Sequence, residues 1–196
     1  MSYQGPVRAS LYTPGGKRKY LTRPERARFI AAANASTRPA LRTLCLTLAY
    51  TGCRISEALA LRRSAVEIDS GFIAFRSLKK RSGVVIIREV PVPPDLLNAI
   101  ADVHGQLEDT ERLWPWSRSR AWQLIGMVMT AADIAPGIHA TPKGLRHGFG
   151  IHAIQSGVPL NLVQRWLGHA RMETTAIYLQ AMGSEERDIA ARMWRS

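Results

Sequence analysis

The sequence predicts a mainly α-helical (α+β) domain carrying a small three-stranded antiparallel sheet. Three observations predict it. Apolar residues recur at helical spacing on both sides of a central stretch. Between residues 64 and 92 that period gives way to short β-branched and aromatic runs. The 196 residues are 46% hydrophobic, enough for one well-filled core.

The elements follow in order. Residues 1–20 are polar, basic and Gly/Pro-bearing, and read as a flexible arm ahead of a domain spanning 21–196. Such an arm either lies along a phosphate backbone or is a solvated tail. Thr22 with Glu25 three residues on is a capping box, so a helix starts there with Phe29, Ile30 and Ala33 inward. A second helix runs from about Pro39 to Tyr50 and stops at Gly52. The next segment, T-G-C-R-I-S-E-A-L-A-L, predicts a third helix with Arg54 at its start, Glu57 one turn along, and Ile55, Leu59 and Leu61 inward. The runs 66–68, 72–75 and 84–92 predict three strands, with Leu78-Lys79-Lys80-Arg81-Ser82-Gly83 as a basic hairpin tip. Prolines at 93 and 94 start a helix over 94–104. Ser117 caps another over 118–132, with Trp122, Ile125, Met129 and Ala132 on one face. Thr141-Pro142 reads as an N-cap followed by proline at the first helical position, for a helix ending near Gly157. Helices over 159–167, 171–180 and 184–194 complete the chain. Trp114, Trp116 and Trp122 read as packing residues, and His139 and His152 as structural ones.

The formal net charge of +12 points to a polyanionic partner, nucleic acid above all. Arginine outnumbers lysine 22 to 5, so each lysine position is informative: Lys17, Lys19, Lys79, Lys80 and Lys143. Cys45 and Cys53 form no C-x-x-C, so neither a zinc site nor a disulfide framework is indicated. No apolar run nears the ~20 residues that span a membrane, and no signal peptide is visible. A cytoplasmic, DNA-associated location without a membrane partner is the expectation.

The chemistry concentrates in T-P-K-G-L-R-H-G-F-G at 141–150 and W-L-G-H-A-R-M-E-T-T-A-I-Y-L at 166–179. Cations beside one tyrosine are what phosphodiester cleavage by a phenol requires. Attack at phosphorus builds charge on the non-bridging oxygens, and held arginine forks neutralise it. Nearby cations are expected to lower the phenol's pKa from its ordinary ~10. The leaving 5′ oxygen needs a proton from lysine or histidine, because arginine holds its own too tightly. No metal or other cofactor is needed, and no acidic cluster suggests a two-metal nuclease.

Taken together, T-G-C-R-I-S-E-A-L around Arg54, the basic hairpin, K-G-L-R-H, L-G-H, and a tyrosine nine residues after that histidine resemble the catalytic domain of the tyrosine recombinase (phage integrase) family. Each motif alone is weak; their order and spacing make the match specific over residues 20–196. The length and the lack of the family's N-terminal core-binding domain also resemble the fimbrial phase-variation invertases.

The resemblance implies the tyrosine-recombinase catalytic-domain fold and a residue set. Tyr178 would attack the scissile phosphate, forming a 3′-phosphotyrosyl bond. Arg54 and Arg146 would clamp the non-bridging oxygens. Lys79 would be the general acid, with Lys80 the alternative. His169 would hydrogen-bond the phosphate. Glu57 would support Arg54, and His147 would support Arg146. One position departs: the family's H-x-x-R-H begins with His, and here it is Lys143. A neutral imidazole accepts a proton readily; a lysine does so only once it is itself neutral. Lys143 is therefore expected to clamp phosphate.

The implied function is site-specific DNA recombination by cleavage and rejoining, whether integration, inversion or excision. Its partners would be duplex DNA and further copies of the chain, as dimers and tetramers docked through the C-terminal helix, with an accessory DNA-binding protein besides. A type IB topoisomerase-like enzyme and a catalytically impaired DNA-binding regulator of the same fold are the alternatives.

Overall fold

The computed structural model describes residues 10–78 and 85–181. Helix α1 (Arg23–Asn34) starts at the Thr22 capping box, in which the Thr22 hydroxyl accepts from the Glu25 N–H and the Glu25 carboxylate accepts from the Thr22 N–H. Helix α2 (Pro39–Thr51) follows, then a four-residue α3 (Ile55–Ala58). The sheet has order β1 (Val66–Glu67), β2 (Phe72–Leu78), β3 (Val85–Pro91), both pairings antiparallel, with Ile73 opposite Val90 and Phe75 opposite Arg88. Helices α4 (Pro94–His104), α5 (Arg118–Ala131), α6 (Pro142–Gln155), α7 (Leu160–Leu167) and α8 (Glu173–Ala176) complete the order, and a 3₁₀ turn (Ile177–Ala181) ends it. The expected helix over 171–180 is thus a short α-turn tightened into 3₁₀. The expected helix over 184–194 and the hairpin tip with Lys79 and Lys80 lie outside the described residues.

Two apolar clusters organise the chain. The larger joins α1, α2, α4, α5 and the inner face of the sheet, with Phe29, Leu44, Leu48, Ile73, Phe75 and Trp114 fully buried. The smaller gathers Leu11, Phe149, Ile154, Val163, Leu167 and Tyr178. Helix α6 lies between them, with Leu145 in the first and Phe149 in the second. Its first turn and its core-facing residues are therefore positioned from both sides.

Two sequence expectations change. Residues 10–20, expected as part of a flexible arm, fold back on the domain. Leu11 is fully buried in the smaller cluster, Tyr12 bridges Arg18, and the Arg18 guanidinium forks onto the Glu25 carboxylate. One apolar residue with a neighbouring arginine is enough to anchor a segment whose composition is otherwise loop-like. Trp122 is also misplaced by the sequence reading. Helix α5 buries Ala121, Leu124, Ile125, Val128 and Met129, and Trp122 falls off that face with 52% exposure.

Gly52 ends α2 in the left-handed region, at φ +60°, where a side chain is strained. It also has no room for one, because a Cβ there would sit 2.5 Å from a Phe149 ring carbon and 2.9 Å from Leu167. Gly52→Ala is expected to destabilise the fold by about 2 kcal/mol or more, summing backbone strain and overpacking. The urea unfolding midpoint of the purified variant measures it.

Candidate active site

Arg146 is buried on the inner face of α6. That face would ordinarily hold an apolar residue, since burying an unpaired cation is costly. The structure resolves the cost with two main-chain acceptors. One Arg146 nitrogen donates to the Gly52 carbonyl at 2.7 Å and another to the Leu167 carbonyl at 2.6 Å. Both carbonyls sit at helix C-termini, those of α2 and α7, where carbonyls lack intrahelical partners and the helix dipole favours a cation. Burial, then the Arg54 charge, lower the Arg146 pKa to about 10, which leaves it protonated at neutral pH.

Arg54 stands at the start of α3 and is exposed to the cleft. Its main-chain N–H donates to Glu57 Oε2 at 2.8 Å and its Nη1 to Glu57 Oε1 at 2.9 Å. The same carboxylate receives the Arg88 fork, at 2.6 Å and 3.3 Å. Arg88 is 4% exposed, lies 5.0 Å over the Phe75 ring, and its Nε donates to the Trp166 carbonyl at 2.8 Å. Burial works to raise the Glu57 pKa, but the Arg88 bonds and charge, with the Arg54 N–H and charge, bring it down to about 2. One ionised carboxylate therefore ties α3, β3 and α7 into a single frame.

Tyr178, in the closing 3₁₀ turn, is 1% exposed. Its ring rests on the α6 backbone at Gly150, where a Cβ would come within 2.5 Å of it. His169 stacks on the ring at 6.2 Å between centroids, and the His169 Nδ1 is 2.9 Å from the Thr175 hydroxyl. The His147 Nδ1 lies 3.2 Å from the Tyr178 hydroxyl. Burial pushes the phenol up to about 12, outweighing the opposing charges of Arg146 and Arg54. The expectation of a phenol acidified by its cations is thus corrected: the cations act on it, but desolvation is larger. Burial, then Lys143, Arg146 and Lys19, hold His147 down to about 4; burial, then Arg146 and Arg54, hold His169 down to about 3. Both imidazoles are neutral at neutral pH.

Arg54, Lys143, Arg146, His147, His169 and Tyr178 line one cleft of about 760 Å³. The structure thus brings together six of the residues singled out in the sequence, with Glu57 behind them. Lys143 is exposed on the first turn of α6. Lys79 and Lys80 lie outside the described residues. Lys19 and the exposed Trp122 also line the cleft, and sequence reasoning assigned neither to it. Arg88 was missed as well. Its signal was a cation on the inward register of a strand, two residues before the buried Val90.

A sequence model of the phage integrase family matches residues 19–185. Tyrosine recombinase XerA of Thermococcus kodakarensis is 32% identical over 170 residues, covering 82% of this chain and 57% of its own. The crystal structure of XerA recombinase superposes with TM-score 0.73 at 26% identity, over 90% of this chain and 65% of that one. The XerH site-specific recombinase bound to its difH substrate shares the fold at TM-score 0.67 and 19% identity, over 94% of this chain and 60% of that one. The chain spans little more than half the length of the curated relatives it matches.

Two predictions follow from the charges. Glu57→Gln leaves the buried Arg88 cation without its carboxylate and is expected to cost about 3 kcal/mol. The double variant Glu57→Gln/Arg88→Met recovers part of that loss, which a double-mutant cycle in urea measures. The second prediction concerns acid. The unfolded chain binds protons on His147 and His169 below about 6.5, whereas the folded chain resists them down to about 4 and 3. Stability is therefore full above pH 6.5 and falls as pH drops through that window. Glu57 adds a further loss between about 4.5 and 2. Urea midpoints across pH 7 to 4 are expected to decline, and His169→Asn to flatten the decline.

Proposed function

The chain belongs to the phage integrase family, and from that membership we propose that it cleaves and rejoins duplex DNA at a specific site through a 3′-phosphotyrosyl bond to Tyr178. The observation that carries the reading is that Tyr178 lines one cleft together with two arginines and two histidines, its hydroxyl 3.2 Å from His147 Nδ1 and its ring stacked on His169. That cleft supplies a nucleophile and fixed positive charge together, which is the combination in-line attack on a phosphodiester needs.

Each residue then has a task. Arg146, held by two carbonyls, and Arg54, held by Glu57, neutralise the non-bridging oxygens. His169 has its Nδ1 engaged with Thr175, which leaves its Nε2 to donate to the phosphate. Lys143, exposed at the cleft, pairs with phosphate. Lys79, or Lys80 in its place, protonates the 5′ oxygen from the segment of sequence that joins β2 to β3. The covalent link conserves the energy of the broken bond, so rejoining needs no nucleotide. The relatives named as tyrosine recombinases, and the XerH complex with difH, support duplex DNA as the substrate. Dimers and tetramers on DNA, joined through residues 184–194, complete the proposal, as does an accessory DNA-binding protein that aids site selection.

The test uses a randomised pool of nicked suicide duplexes, from which covalent adducts are isolated to define the site. Wild type is expected to form an adduct that Tyr178→Phe abolishes, while DNA binding persists in the variant. If wild type forms none across the pool, the catalytic reading fails and a binding regulator is left. Recombination between two recovered sites, measured beside supercoil relaxation, separates a recombinase from a topoisomerase-like enzyme.

A further inference from the structure

The Tyr178 phenol has to lose its proton to attack, and burial keeps that proton in place, with the pKa near 12. The chain therefore needs an acceptor at the hydroxyl. In the family pattern the first residue of H-x-x-R-H offers an imidazole, and here that residue is Lys143. Lys143 is exposed, and among the described residues no hydrogen bond joins it to Tyr178.

We propose that His147 is the general base of this chain, taking the Tyr178 proton on Nδ1 as the phenol oxygen attacks phosphorus. The proposal rests on the strand-transfer reading above and adds the identity of the proton acceptor. Geometry carries it. The Nδ1 of His147 lies 3.2 Å from the Tyr178 oxygen, within reach of a shared proton. The two rings are 5.9 Å apart at their centroids and tilted by 57°, so the imidazole meets the hydroxyl edge-on rather than covering the ring face. His169 stands on that face instead, stacked at 18°, and its Nδ1 is committed to Thr175. Of the two histidines on the tyrosine, one grips the ring and the other meets the oxygen.

The surroundings suit the role. Lys143 and Arg146 on α6 and Lys19 from the N-terminal turn all act on His147, and His169 faces it from beyond α7. Those three cations, with burial, keep the imidazole neutral, so a lone pair is available when the ring proton resides on Nε2. The same cations make the free imidazole a weak acceptor. A bound phosphate offsets them, and its negative charge raises the basicity of His147 when substrate is present. Proton transfer therefore accompanies P–O bond formation, and no resident tyrosinate forms in its absence.

The step balances. The Tyr178 O–H proton moves to His147 Nδ1, the Tyr178 O–P bond forms, the P–O5′ bond breaks, and the 5′ oxygen takes a proton from the hairpin acid. On rejoining, the 5′ hydroxyl attacks phosphorus and the His147 imidazolium returns its proton to the departing phenol oxygen. Lys143 takes no part in the transfer, so the departure from the family pattern moves the base by four residues along α6.

Single-turnover cleavage of the recovered nicked duplex tests this, with wild type, His147→Asn and His147→Ala. His147→Asn is expected to cleave about 100-fold more slowly, within the usual range for loss of a general base. Added imidazole is expected to restore part of the His147→Ala rate. A duplex with a sulfur in place of the 5′ bridging oxygen, whose leaving group needs no proton, is expected not to restore either variant. Urea midpoints and DNA binding of the variants establish that they are folded. The proposal is overturned if His147→Asn cleaves within about threefold of wild type. It is equally overturned if imidazole does nothing for a folded His147→Ala, or if the sulfur substrate rescues it, which would make His147 the acid. Wild type that forms no adduct sinks the strand-transfer reading itself, and this proposal with it.

Discussion

The site depends on one buried guanidinium held between two helix ends. Arg146 donates to the last carbonyls of α2 and α7, groups that lack helical partners and carry the negative end of each helix dipole. The contact works in both directions. The carbonyls make a buried cation tolerable, and the cation makes two converging helix C-termini compatible. Gly52 lets this happen, since α2 can end there only in a left-handed turn closely covered by Phe149 and Leu167. A residue of the cleft is thereby fixed by carbonyls 94 and 21 positions away in sequence.

The second tier is the Glu57 carboxylate. It orients Arg54 towards the cleft while neutralising Arg88, which in turn holds β3 against the Trp166 carbonyl of α7. A fully buried pair usually contributes little net stability, because desolvation offsets the attraction. Its value here is geometric. An exposed arginine loses conformational freedom when it binds an anion, and the Arg54 guanidinium has lost part of that freedom already through its bond to a fixed carboxylate. Because β3 pairs with β2 along its whole length, Arg88 also anchors the sheet against α7.

The tyrosine sits where opposing forces are both large. Packing against Gly150 and stacking by His169 position the phenol and strip its solvent. Desolvation then favours the neutral form more than Arg54 and Arg146 favour the phenolate. The neutral histidines follow from the same physics, since burial, with the cations of the cleft, disfavours a proton on imidazole.

Much of the fold was legible locally. The Thr22–Glu25 capping box, the Thr141-Pro142 helix start, the stop at Gly52 and the switch to short β-branched and aromatic runs between 64 and 92 are short-range signals, and each of these elements formed close to where it was expected. That Arg54, Lys143, Arg146, His147, His169 and Tyr178 belong together was also legible, because the motifs that carry them stand at distinctive spacings, and all six line one cleft. Three things were not. The burial of Leu11 and the anchoring of Arg18 depend on a partner surface made by α1 and α6. The exposure of Trp122 depends on which side of α5 meets α1 and α3, a matter of packing angle that the helical period leaves open. The protonation of Tyr178 depends on the sum of desolvation and charge at one point in space, and only the assembled site has that sum. Residue order alone set which groups the chain could bring to its cleft. The tertiary structure decided which of them are dry, which are charged and which atom touches which, because dielectric and distance are properties of the packed molecule.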